Sequence, residues 1–311
     1  MNVAIIGRSE LMYNTALLLL ESGFNIPLIV TAKEAPEYKV SSADFKNLAE
    51  KTGAVFINTA KINEYETYSL LSSLKEISVS VSVNYSGIID QRIIDLFPVG
   101  ILNAHGGDLP RYRGNACQAW AIINGEEKVG LCIHKMIGGE LDSGDIVARD
   151  YYQLKTSTRV GEIYSWMENR IPQLFLEALE KLKDNNQYVL EVQSKDPKDA
   201  LRCYPRNPSD GRVCWEKSSI EILRLINASS EPFSGAFGMY EGKEMRIWRA
   251  ELHHDEERYL AVPGQVAEIN KSDGSVMIIT GNGKIKITEI EYEGHRVKPA
   301  EVITSIRKRL K

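Results

Sequence analysis

The chain has 311 residues, 43% of them hydrophobic and 26% charged, with a formal net charge of −4. That length supports two domains with cores of their own, and the balance excludes a disordered or fibrous protein. No apolar run reaches the ~18 residues of a membrane span, and the negative balance supplies no overall basic footprint for nucleic acid.

The first half alternates short apolar runs with segments of helical period. Residues 3–7 read as a buried strand. Residues 11–22 read as a helix with Ser9 as cap and Gly23 as stop. Then come a strand at 26–32, a helix at 42–52 closed by Gly53, a strand at 54–58 and a helix at 64–75. A strand at 77–84, a short helix at 91–97 ended by Pro98 and a strand at 101–103 follow. This βαβα rhythm predicts an α/β domain, a Rossmann-like parallel sheet flanked by helices, over residues 1–200. Ligands of such sheets sit beyond the carboxyl ends of the strands. Further on, 117–124 is helical, 130–136 and 145–152 read as strands, and 160–184 is a long amphipathic helix.

Residues 184–187 and 196–211 are polar and proline-bearing, as linkers are. After a helix at 220–228, strands at 245–252, 265–270, 275–280 and 284–292 are separated by turn signals at Gly242, 272–274 and 281–283. Residues 201–311 are therefore expected to form a linker and a smaller, mostly antiparallel, OB-like barrel domain. The terminal SIRKRLK reads as the solvated end of a helix.

Several chemistries drop out. The first strand ends in Gly7-Arg8-Ser9-Glu10, with one glycine where a dinucleotide fingerprint needs three, so no NAD is expected. No GxxxxGK[ST] loop occurs. The four cysteines, Cys117, Cys132, Cys203 and Cys214, are scattered without a CxxC pair. No metal is expected, and a reducing cytoplasm fits. No basic-then-apolar leader opens the chain, so neither export nor a membrane partner is expected.

The unusual segment is Leu102-Asn103-Ala104-His105-Gly106-Gly107-Asp108-Leu109-Pro110-Arg111-Tyr112-Arg113-Gly114. It follows an expected central strand. Asn103 and His105 are two apart, so in extended chain they leave one face. A second polar segment, Gly138-Gly139-Glu140-Leu141-Asp142-Ser143-Gly144-Asp145, separates two strands. Glycine pairs in both loops suit backbone close to a ligand. Of the five histidines, His134, His253, His254 and His295 read as structural or solvated.

NxH followed by LPxYRG, then NGE, a strand and DSGDI, resembles the folate-dependent formyltransferase family. The likeness covers roughly residues 1–190 and continues more faintly to the end. It implies N10-formyltetrahydrofolate as formyl donor, with Asn103, His105 and Asp142 as the catalytic set. It places the pterin between Asn84-Tyr85 and the loop containing Ile137, Gly138, Gly139 and Glu140, with Asp145 as a further site residue or a loop support. One departure is Gly107-Asp108, where the family often has Ser-Leu.

The residue types suit formyl transfer. A neutral amine attacking a formyl carbon builds an oxyanion, which well-placed donors stabilise by ~3–4 kcal/mol each. The Asn103 amide and an imidazole N–H can supply them. His105 can take the proton that the amine sheds, and Asp142 can orient the ring and stabilise its cation.

Residues 202–215 and 231–237 are similar to the linker and second domain of enzymes that formylate UDP-linked 4-amino sugars, so the resemblance favours a sugar-nucleotide N-formyltransferase acting on a UDP- or dTDP-linked amino-deoxyhexose, a 4-amino sugar, for surface glycan synthesis. No nucleic-acid partner is expected on this reading. Arg202, Tyr204 and Arg206 can form a pyrophosphate fork, and Arg113, Gly114 and Asn115 can meet the sugar or phosphate. Residues 251–257 hold four acidic residues and no Lys or Arg, which is unfavourable for RNA. The alternatives are a methionyl-tRNA formyltransferase and a non-catalytic folate- or nucleotide-binding relative. A homodimer is left open.

Overall fold

The apolar N-terminal run becomes β1 (Asn2–Gly7), whose Val3, Ala4, Ile5 and Ile6 are fully buried. A strand buried on both sides needs a sheet covered on both faces. The computed structural model describes residues 1–36, 38–74, 76–253 and 257–311. It places β1 in a seven-stranded sheet of order β3-β2-β1-β4-β5-β7-β8. The members are β2 (Asn25–Thr31), β3 (Val55–Asn58), β4 (Val79–Val83), β5 (Ile101–His105), β7 (Lys128–Lys135) and β8 (Ile146–Gln153). The first five run parallel. β7 is antiparallel to β5, so the sheet is mixed rather than wholly parallel. A two-residue strand, β6 (Arg113–Gly114), pairs in parallel with β9 (Arg202–Cys203).

The helices α1 (Ser9–Glu21), α2 (Ser42–Thr52) and α3 (Tyr65–Ser73) follow β1, β2 and β3. α2 opens on a Ser41–Asp44 capping box and closes on Gly53 at φ 73°, a conformation that glycine adopts without penalty. α1 differs from expectation. Ser9 sits inside the helix at φ 72° and Arg8 is its cap, without a side-chain bond. The Ser9 hydroxyl instead accepts from Asn84 Nδ2 at 3.2 Å, a tertiary partner that local patterning does not reveal. α4 (Gln91–Ile94) is shorter than the periodicity predicts, because tight turns at Leu96 and Phe97 precede Pro98.

The described residues divide into two compact units. Unit 1 holds Met1–Gly114, Val129–Tyr152 and Ser165–Cys203; unit 2 holds Asn115–Lys128, Gln153–Tyr164 and Tyr204–Lys311. In unit 2, α5 (Cys117–Asn124) packs against α7 (Ser219–Ser229). α6 (Val160–Asp184) is the long helix that the periodicity predicts. A six-stranded antiparallel sheet completes unit 2: β10 (Ala236–Tyr240), β11 (Lys243–His253), β12 (Val266–Ile269), β13 (Val276–Ile279), β14 (Lys284–Tyr292) and β15 (His295–Val297). Its core includes Trp215, Ile222, Ile226, Met245 and Ile287.

β10 and β15 are not evident from the sequence pattern, the first because Gly238 interrupts its alternation and the second because it is three residues long. The basic terminus does not end a helix. It forms a turn, a bridge from Arg309 to Gln265 and paired bonds between Lys311 and Met239. Among the described residues no helix is long and apolar enough to cross a membrane.

Candidate active site

The carboxyl ends of the parallel strands converge on one edge of unit 1. Arg8, just past β1, donates from Nε to the Asn84 carbonyl at 2.8 Å and from Nη1 to the Lys33 carbonyl at 2.9 Å. At the end of β5, Asn103 and His105 alternate onto the same side. The register of β7 sets His134 opposite Asn103 and Cys132 opposite His105. Directly opposed residues share a face, and the Asn103 amide Nδ2 lies 3.3 Å from His134 Nε2.

Asp142 arrives from the loop between β7 and β8. Its backbone is left-handed, at φ 47°, and the Gly114 N–H donates to its Oδ2 at 2.9 Å. Oδ2 lies 3.5 Å from His105 Nδ1, and Oδ1 lies 3.5 Å from His134 Nε2. Close backbone approach demands glycine nearby. A Cβ on Gly144 would meet the Lys135 carbonyl at 1.8 Å, and one on Gly107 would meet the Tyr112 carbonyl at 2.2 Å and His105 Nε2 at 2.5 Å. Asn103, His105 and Asp142 are therefore brought together. His134, read from sequence as an ordinary strand residue, stands with them. Antiparallel pairing with β5 was the information needed to place it there.

Hydrogen bonding orients both rings. His105 Nε2 is 2.6 Å from the Tyr112 carbonyl, which can only accept, so Nε2 carries the proton. Nδ1 is left facing Asp142. Burial lowers the His105 pKa from 6.5; Asp142 and the Tyr112 carbonyl pull it up, while His134 and Arg113 add to the lowering. Burial thus favours the neutral ring, whose Nδ1 faces the Asp142 carboxylate. His134 Nδ1 lies 3.0 Å from the Lys135 carbonyl, and its Nε2 faces both the Asn103 amide and Asp142 Oδ1.

For Asp142 burial works upward, but it is outweighed by hydrogen bonding from His134, by the electrostatic pull of His105 and His134 and by the Gly114 N–H. The carboxyl is held at about 2, against an ordinary 3.8. Because the folded value is depressed, this group adds stability above the unfolded value and loses it as pH falls toward the folded one. The contribution is about 2 kcal/mol. Urea midpoints should show wild type losing about that much more than Asp142→Asn between about pH 5 and about pH 2. Parallel curves for the two proteins would count against the assignment.

The other expected site residues divide. Asn84 has φ 54° and uses its side chain on Ser9. The Tyr85 hydroxyl donates to the Thr59 carbonyl at 2.7 Å, and burial pushes its pKa up to about 12. Its ring packs on the same core cluster as Met136. The Gly138 N–H donates to Gln91 Oε1 at 2.8 Å, which ties the loop after β7 to the segment after β4. Ile137 and Gly138 are half-buried, and Gly139 and Glu140 are exposed. Glu140 accepts from the Ser143 hydroxyl. Asp145 accepts from the Gln193 N–H at 3.2 Å.

Asp108, the departure from the family pattern, turns its carboxylate onto Arg149 at 2.5 Å, and Arg149 also holds the Leu109 carbonyl and Glu191. The neighbouring strands β6 and β9 set Arg113 beside Arg202. Arg113 donates to Gln193 Oε1 at 2.9 Å. Asn115 and Tyr204 are exposed in unit 2. Arg206 is bound within unit 2 to the carbonyls of Ala228 and Asp210 and to the Ser229 hydroxyl, with its guanidinium 5.8 Å from the Trp120 ring centre. Among the described residues no group of three or more His, Cys, Asp or Glu could hold a metal ion.

The formyl transferase family model matches residues 3–179, and the formyl transferase C-terminal domain model matches residues 206–307. A methionyl-tRNA formyltransferase from Acetivibrio thermocellus is 26% identical over 318 residues, covering 97% of this chain and 99% of that protein. One from Caldanaerobacter subterraneus subsp. tengcongensis is 28% identical over 303 residues, covering 95% and 94%. Among solved structures, the sugar 3N-formyl transferase WlaRD has a TM-score of 0.67 at 17% identity over 92% of this chain and 97% of its own. HypX from Aquifex aeolicus, in complex with tetrahydrofolic acid, has a TM-score of 0.59 at 20% identity over 98% of this chain. This chain spans 47% of that HypX chain. Likeness at such identity carries the fold alone.

These comparisons correct the acceptor reading. Six relatives at 25–28% identity, matching nearly the whole chain, are methionyl-tRNA formyltransferases, whereas sugar formyltransferases enter through fold likeness. The nucleotide-sugar acceptor and the exclusion of nucleic acid both fall. The physical reason is that a summed charge of −4 says nothing about where cations cluster on the surface. Nor does Arg206 stand free as one arm of a pyrophosphate fork. Of the acidic turn at 251–257, His254, Asp255 and Glu256 lie outside the described residues. With a family model matched over more than half its length, the chain belongs to the formyl transferase family and is an N-formyltransferase.

Proposed function

We propose that the protein transfers the formyl group of N10-formyltetrahydrofolate to the amino group of methionyl-tRNA. The observation that carries this is end-to-end similarity: the methionyl-tRNA formyltransferases match across both units, not in the catalytic half alone. When bound, the folate supplies a formyl group activated on nitrogen. In this reading Asn103 offers its amide N–H to the developing oxyanion. Neutral His105 takes the amine proton at Nδ1, and the adjacent Asp142 stabilises the imidazolium. A tautomer held by a backbone carbonyl presents the basic nitrogen without reorganisation.

The pterin is assigned to the space between Asn84, Tyr85 and the loop of Ile137, Gly138, Gly139 and Glu140. Two observations support this: the bond from Gly138 to Gln91 and the satisfied Tyr85 hydroxyl, which leaves its ring as an apolar surface. Asp145 is assigned to holding that loop. On the acceptor side, Arg113 and Arg202 are adjacent cations suited to phosphate; Gly114, Asn115, Tyr204 and Arg206 belong to the chain that carries them. The cytoplasm is the proposed compartment, in keeping with four cysteines of which none is in a disulfide.

Given formyl donor and charged initiator tRNA, the protein should yield formylmethionyl-tRNA. Its apparent affinity for the tRNA should fall linearly on a log–log plot against salt, because phosphate contacts release counterions. No formylated tRNA at low salt, with the donor intact, would sink the proposal.

A further inference from the structure

Gln193 belongs to none of the motifs and is 1% exposed. It lies on the segment after α6 that runs beside the start of β8, where the Ile146 N–H donates to the Glu191 carbonyl at 2.9 Å and the Glu191 N–H to the Ile146 carbonyl at 3.1 Å. Its side-chain Nε2 donates to the Asp142 carbonyl at 3.0 Å and to the Gly144 carbonyl at 2.5 Å. Its Oε1 accepts from Arg113 at 2.9 Å, and its backbone N–H donates to Asp145 at 3.2 Å. A buried amide with each group paired makes a rigid junction, and removing it strands several polar partners together.

The junction sits where the chain needs support. Asp142 is a non-glycine residue at φ 47°, a conformation that persists when surroundings over-determine it. Neighbouring positions have their own restraints: Lys195 donates to the Ser143 carbonyl at 3.2 Å, and Gly144 is packed on Lys135. The Asp142 carbonyl is gripped by Gln193, on the residue whose carboxylate must meet His105 and the Gly114 N–H.

We propose that Gln193 is a positioning residue: its amide clamps the carbonyls of Asp142 and Gly144, fixing the Asp142 carboxylate against His105, and couples that loop to Arg113. This rests on the assignment of Asp142 and His105 to the reacting centre. A primary amide of this length supplies two N–H donors for the carbonyls and an oxygen for the guanidinium. Glutamate keeps the size and the Arg113 contact but turns an acceptor toward two carbonyls. Methionine keeps only the volume.

The test compares wild type, Gln193→Glu and Gln193→Met by two readouts. One is the NMR titration of His105 in substrate-free protein; the charged groups facing that ring are Asp142, His134 and Arg113. The other is kcat and acceptor KM. Both variants should let Asp142 drift, so His105 should titrate at lower pH and kcat should fall about 10- to 100-fold, with acceptor KM within about threefold. The Glu variant should be as impaired as the Met variant despite keeping Arg113. A merely structural role would lower the unfolding temperature while leaving the His105 titration and kcat of the folded protein unchanged, and that result overturns the proposal. If the Met variant does not fold, the Glu variant carries the test. If the His105 shift is seen while Asp142→Asn keeps full turnover, the clamp stands and the reacting-centre assignment fails.

Discussion

Asp142→Asn and His105→Asn should each lower kcat by at least about 10²-fold, the usual scale for lost acid–base or oxyanion assistance. Acceptor KM should move far less, because neither group is needed to bind the ground state. The asparagine at 142 keeps the shape and can still accept the Gly114 N–H, so its defect isolates the charge. That charge faces the unprotonated Nδ1 of His105, where a proton taken from the amine would come to rest. Without it the imidazolium lies buried with no anion, which is costly in a dry site. The acidic limb of the pH–rate profile should also shift downward in Asp142→Asn, since the carboxylate raises the His105 pKa. Turnover near wild type in either variant would remove these residues from the chemistry.

Gly107→Ala is expected to cost more than its single methyl suggests. The added Cβ would lie 2.2 Å from the Tyr112 carbonyl and 2.5 Å from His105 Nε2. One contact is backbone and the other is the ring held by that backbone, so neither can yield alone. Relief requires the Tyr112 carbonyl to leave His105, which frees the tautomer and unseats the ring. Destabilisation of about 2–4 kcal/mol is expected from overpacking a buried turn, together with a fall in kcat of about 10²-fold or more. Unfolding curves and kcat measured well below the transition separate the two effects. A stable, fully active Gly107→Ala enzyme would mean that the His105–Tyr112 contact is unimportant. Gly242→Ala, in the turn between β10 and β11, is the matched control: nothing lies within 4 Å of its Cβ, although its φ of 80° still imposes some strain.

Much of the catalytic half was legible in one dimension because its signals are local. Alternating apolar runs and helical periods set the first β–α repeats, and the α2 boundaries follow from a capping box and a terminal glycine whose energetics act within a few residues. Asn103 and His105 could be paired from sequence because two residues apart on a strand share a face. Their link to Asp142 came from the family resemblance rather than from any local force.

Tertiary structure decided the rest. The place of His134 depends on β7 running antiparallel to β5, a pairing between segments that local patterning does not encode. Gln193 was invisible because a buried amide is recognised by the carbonyls it meets, here on residues 142 and 144, about fifty positions away. The tautomer of His105 was set by one carbonyl on a loop. Net charge was the least informative quantity, since Coulomb interactions depend on distance and burial: Asp108, the departure from the family pattern, is occupied by Arg149, and Arg206, a candidate for ligand contact, by backbone carbonyls of unit 2. Periodicity and caps come from short-range forces that a chain carries in its order; site geometry and protonation come from long-range packing, which exists only once the sheet has closed.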